Sequence, residues 1–115
     1  MSASAIFRGA ELEDAYAEIL GGRLSGGFND HGKDIVLADD EMPAVQVKSS
    51  IHFALAFLKE SLRRRQFIPL CVGEPASRHE ILTSLREFGA WVGYDIPNRG
   101  EVLDGIARVK ELCGA

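Results

Sequence analysis

The chain has 115 residues, 46% hydrophobic and 26% charged, with a formal net charge of −4 at pH 7. That length predicts one domain, its apolar share can fill a core without disulfides or structural metal, and its composition excludes general disorder. The acidic balance counts against broad nucleic-acid affinity, which rests on neutralising phosphates.

The charges are nevertheless segregated. Lys59, Arg63, Arg64 and Arg65 cluster, while Glu11, Glu13, Asp14 and Glu18 crowd one early segment. A net charge can hide a local basic patch. No apolar run approaches the ~20 residues that span a bilayer, and residues 1–8 lack the pattern of a secretory signal. Cys71 and Cys113 form no CxxC pair, and they read as free thiols in a reducing, hence cytoplasmic, compartment.

Residues 10–20 predict a helix, because Leu12, Tyr16, Ile19 and Leu20, with Ala15, form a stripe that Gly21 and Gly22 end. Residues 23–33 are rich in glycine and polar side chains, which predicts a loop with room for one short strand. Strands are expected at 34–38 and 44–48, joined as a hairpin that closes near Glu41. Ser49 or Ser50 can cap a helix carrying Ile51, Leu55, Leu58 and Leu62 on one face and ending in the arginines. Residues 67–73 read as an apolar strand. Ser77 and Glu80 have capping-box spacing before a helix with Ile81, Leu82, Leu85 and Phe88. A short strand at 90–94 and a helix at 99–112, with Val102, Ile106 and Val109 on one side, complete the order. Strands alternating with helices imply parallel pairing by right-handed crossovers, added to an antiparallel hairpin. The fold class is α/β, a mixed sheet flanked by helices.

The hairpin carries the chemistry. If it closes near Glu41, Asp34 lies across from Lys48, and Gln46 across from Val36. Side chains alternate along a strand, so Asp34, Gln46 and Lys48 share one face, and Ile35, Leu37, Val45 and Val47 share the other. The apolar face is expected to pack inward while the polar one presents a carboxylate, an amide and an amine. Mg²⁺ takes oxygen ligands, commonly one or two carboxylates with water and phosphate. Asp34, the Gln46 amide oxygen and the Val47 carbonyl are the candidate ligands, with Lys48 placed to orient water or meet charge on phosphorus. The bland alternative is a surface Asp–Lys pair across a hairpin, which is common and energetically minor.

Asp34, an eleven-residue gap and then Gln46-Val47-Lys48 resemble the PD-(D/E)xK nuclease superfamily in its QxK variant. Residues 8–13, with Arg8 and Gly9 ahead of Glu13, resemble the start of archaeal-type Holliday junction resolvases, where a glutamate four positions after the glycine binds metal. Ser25-Gly26-Gly27 before Lys33-Asp34-Ile35, and Ser49 after the lysine, are similar to that family and to Mrr-like endonucleases. The likeness covers about residues 8–73. It implies a restriction-endonuclease-like fold, a Mg²⁺ site (Mn²⁺ as substitute) at Glu13, Asp34, Gln46 and Val47, catalysis with Lys48, and a homodimer acting on branched or double-stranded DNA. Two departures stand out. Gln46 replaces the usual acidic residue, and Lys33 stands where proline is common.

Other residues carry less. Glu11 or Glu18 could replace Glu13 if the helix phase shifts. His31 reads better as a solvated loop histidine than as a phosphate contact, and His52 and His79 as helix-surface groups. The Lys59–Arg65 cluster suits either DNA backbone or a solvated helix end. No glycine pattern points to a nucleotide cofactor, and Trp91 and Tyr94 are expected to pack. Gln46 and the acidic balance also suit a different class, a catalytically silent relative that binds DNA or protein.

Overall fold

Short apolar runs alternate with capped helices after residue 44, and this alternation becomes a parallel sheet covered on both sides. The computed structural model describes residues 3–25, 34–38, 42–93 and 96–112, with the side chains of residues 3–8 left aside. The order is α1 (Ala3–Leu20), β1 (Arg23–Leu24), β2 (Ile35–Val36), β3 (Gln46–Lys48), α2 (Ile51–Arg64), β4 (Leu70–Val72), α3 (Arg78–Phe88), β5 (Ala90–Val92) and α4 (Arg99–Leu112). His31, Glu41, Tyr94 and Cys113 lie outside the described residues.

The helix ends follow from local chemistry. Ser50 accepts a hydrogen bond from Phe53 N and Ser77 one from Glu80 N, so both predicted caps form. Gly89 ends α3 in the left-handed region, φ 73°, a conformation that glycine adopts without steric cost. α4 has the predicted limits, and its Val102, Ile106 and Val109 are buried as expected. α1 instead begins at Ala3, well before residue 10, since Ala3, Ala5 and Ala10 favour helix enough to carry Gly9. Every strand is shorter than its apolar run.

β3, β4 and β5 pair in parallel, and β1 pairs antiparallel with β2. One antiparallel bridge, Ile35 to Val45, joins the two sheets. The lateral order is therefore β1-β2-β3-β4-β5, with β2 reversed. Two cores lie on opposite faces. Leu12, Tyr16, Ala17 and Leu20 of α1 and Ile81 and Leu85 of α3 pack on Ile35, Val45, Val47, Cys71 and Trp91. On the other face, Ala54 and Leu58 of α2 and Val102, Ile106 and Val109 of α4 pack on Leu70, Val72, Ala90 and Val92.

This arrangement corrects two expectations. The α2 and α3 crossovers step the same way along the sheet but cover opposite faces, so they have opposite hands and cannot both be right-handed. The stripe of α2 is also rotated. Ala54, Leu58 and Ser61 are buried, whereas Leu55 is 37% exposed. Small residues fit where the helix meets its neighbours, because a Cβ on Gly105 would meet Leu58 Cδ1 at 2.9 Å. Among the described residues, no helix is long and apolar enough to cross a membrane.

Candidate functional site

β3 brings the predicted polar residues together, and β2 delivers Asp34 beside them. Ile35 and Val45 exchange both backbone hydrogen bonds, at 2.9 and 2.7 Å. Beyond that bridge, Asp34 Oδ2 accepts from Val47 N at 2.8 Å, taking a place that a backbone carbonyl holds in a continued ladder. The register differs from the expected one by two residues, so Asp34 stands across from Gln46 rather than Lys48. An even slip preserves sidedness. Ile35 and Val45 share the α1–α3 core, which leaves Asp34, Gln46 and Lys48 to the opposite side by alternation.

That opposite side is covered, contrary to expectation. Gln46 is only 6% exposed, and Lys48 is half-buried with its Nζ 5.6 Å from the centre of the Phe57 ring on α2. Phe57 was not singled out in the sequence. Its signal was position: a crossover helix leaving β3 must lie over one face, and an inward aromatic on it meets whatever that face carries.

Gln46 shows the least settled chemistry in the site. Its Nε2 donates to the Val47 carbonyl at 3.4 Å, while its buried Oε1 finds no hydrogen-bond partner among the described residues. A buried carbonyl oxygen left unpaired costs about 1–3 kcal/mol, unless a cation or water takes it. Asp34 and Gln46 thus offer oxygen donors of the kind a hard cation prefers. A carboxylate has about four lone-pair sites, and the bond from Val47 N takes one of those of Asp34. The Val47 carbonyl is engaged by the amide. Among the described residues, no group of three or more His, Cys, Asp or Glu side chains comes together.

Glu13 is half-buried, and Glu11, Asp14 and Glu18 are exposed, so Glu13 is the inward acid of α1. It lies on the stripe of Tyr16, Ala17 and Leu20, which packs on the Val45–Val47 face, opposite Gln46 and Lys48. Any approach to them runs round the strand ends. The stripe is fastened there: Tyr16 Oη donates to Gly73 O at 2.8 Å, and Gly73 N donates to Lys48 O at 3.1 Å. Burial is the main cause pushing the Tyr16 phenol and the Cys71 thiol above their ordinary ranges, so both stay protonated.

The remaining candidates are dispersed. His52 and His79 are exposed, and Trp91 is buried under the guanidinium of Arg99. Arg63 and Arg64 bind Glu60 at 2.6 and 3.1 Å, which neutralises part of the basic cluster. The Arg63 hydrogen bond, first among causes, lowers the Glu60 carboxyl. No family model, no curated protein and no solved structure matches this chain.

Proposed function

We propose that the chain is a Mg²⁺-dependent endonuclease with a restriction-endonuclease-like fold, hydrolysing phosphodiester bonds in branched or double-stranded DNA. The observation that carries this reading is the bond from Val47 N to Asp34. It seats a carboxylate beside the residue that lies between Gln46 and Lys48, as the DxnQxK resemblance requires. The mixed sheet flanked by helices is consistent with that family, while the α1 stripe that carries Glu13 packs on the other face of β3.

Asp34 and Gln46 Oε1 would hold the cation, with water and phosphate oxygens completing its shell and Glu13 entering round the strand ends. When bound, Mg²⁺ supplies Lewis acidity to the phosphate and lowers the pKa of water. Lys48 brings a positive charge to the phosphate oxygens as their negative charge grows. Phe57 limits where that ammonium can go, and Val47 N fixes the Asp34 carboxylate. A homodimer, which paired cuts in a four-way junction need, belongs to the same proposal.

A second reading is a catalytically silent relative that binds DNA or protein. It draws on Gln46, whose amide nitrogen occupies the Val47 carbonyl that a metal would otherwise use. The deciding experiment offers a four-way junction, a linear duplex and a single strand with Mg²⁺, Mn²⁺ or chelator. Cleavage with metal and none with chelator is the expected result. Intact DNA in every metal lane, from protein shown to be folded, would favour the silent module.

A further inference from the structure

Away from that site, α2 and α4 frame an open groove of about 530 Å³. Because position 105 is glycine, the helices come close at Leu58, and the groove lies between their outer edges. Leu55, Leu62 and Val109 give it an apolar floor. His52, Lys59 and Arg108 line it as well, and among the described residues no carboxylate does. Among the described residues, Arg63 and Arg64 at the α2 end pair with Glu60, but Lys59 and Arg108 make no ion pair. Asp104 and Glu111 do not line the groove; they border a hollow on the far flank of α4 that Arg108 also borders, which leaves Lys59 as the cation farther from these acids.

We propose that this groove docks a short amphipathic helix of a partner protein, apolar on one side and edged with carboxylates. The length fits. From His52 to Leu62 the α2 edge runs about 15 Å at 1.5 Å per residue, room for roughly three helical turns. Such a helix lays apolar residues at i, i+3 or i+4, and i+7 into a groove of this kind. Carboxylates on its margins then meet Lys59 and Arg108, which sets orientation and speeds encounter. A phosphate backbone would use the cations and waste the floor. A second copy docked groove to groove would bring like charges together, since a two-fold interface presents the same patch from both sides.

The test uses the full chain and two side-chain-stapled helical peptides of about twelve residues. Both carry leucines at i, i+4 and i+7, one with glutamates on its margins and the other with lysines. The acidic peptide should bind at least ~10-fold more tightly, as rim charge pairs allow, and should shift the amide resonances of Leu55, Lys59 and Val109. In a Lys59→Glu, Arg108→Glu double variant the preference should reverse, and Leu55→Gln should weaken both peptides. Equal binding of the two peptides by the wild-type chain would overturn the proposal. So would duplex DNA shifting these resonances more strongly than the acidic peptide, or sedimentation showing a dimer that Leu55→Gln dissolves.

Discussion

β3 and β4 are neighbours in one parallel sheet, each with a helix over both faces, yet their side chains differ. β4 offers Leu70, Cys71 and Val72, all buried, as a strand enclosed on two sides should. β3 does so only on its α1–α3 face, through Val45 and Val47. Toward α2 it presents Gln46, whose Oε1 has no partner among the described residues, and the Lys48 ammonium. Buried polar atoms without partners are a net cost to folding. Among the described residues, β3 carries this cost at Gln46, in the strand segment that Asp34 reaches. Apolar packing occupies β4, β5 and the α1–α3 face of β3, and the candidate polar residues sit on the α2 face of β3.

Lys48→Ala should give the largest effect. Loss of ~10²–10⁴-fold in single-turnover cleavage is expected for a residue that acts on water or leaving charge. Stability should fall by only about 0.5–1 kcal/mol, the worth of an ammonium over an aromatic ring near the surface. Cleavage at the wild-type rate would remove Lys48 from the mechanism. Ile81→Ala probes the opposite face, where Ile81 is fully buried. Denaturant melts should show a loss of about 2–5 kcal/mol, with the cleavage rate retained wherever the variant is folded. A rate that drops with the fold intact would show that the faces are coupled.

Gln46→Met sharpens the comparison further. The thioether matches the amide in length and carries no orphaned oxygen, so the variant should be more stable by about 1 kcal/mol. If Gln46 holds the cation as proposed, the variant should also need more metal for cleavage. A variant less stable than wild type would show that Oε1 is satisfied in solution, and the cost assigned to β3 would disappear.

Much of this frame was legible before the structure. α4 and the Ser77 cap were read correctly because apolar spacing and a capping hydroxyl are local signals. The sidedness of Asp34, Gln46 and Lys48 was likewise readable from strand alternation. Register was not, since loop symmetry near Glu41 does not decide between slips of two residues. The rotated stripe of α2 was missed because the burial of Ala54 and Ser61 depends on close packing, which a preference for leucine cannot foresee. The cover over Gln46 was hidden for a topological reason. Two right-handed crossovers would place α2 on the same face as α3, whereas with opposite hands α2 takes the other face, where Gln46 and Lys48 lie.

The smallest expected effect lies where α1 is fastened to the strand ends, and it is read through pH. Tyr16→Phe removes the donor to Gly73 O and should cost about 1 kcal/mol at neutral pH. In the unfolded chain the phenol titrates near its ordinary value of 10.0, while burial holds it well above that in the folded protein. Below about pH 10 both states carry the proton, and the contribution of Tyr16 is fully present. Above that, the unfolded state binds fewer protons than the folded one, so stability falls as pH rises. Phenylalanine has no proton to release, so the gap between wild type and variant should narrow between about pH 10 and 11. Cys71, whose thiol is ordinarily near 9.0 and is also raised by burial, adds a decline common to both proteins. Urea midpoints from pH 7 to 11 make the comparison. A gap that stays constant would mean that the folded Tyr16 ionises as easily as the unfolded one, and that the join between α1 and the end of β3 is open to water.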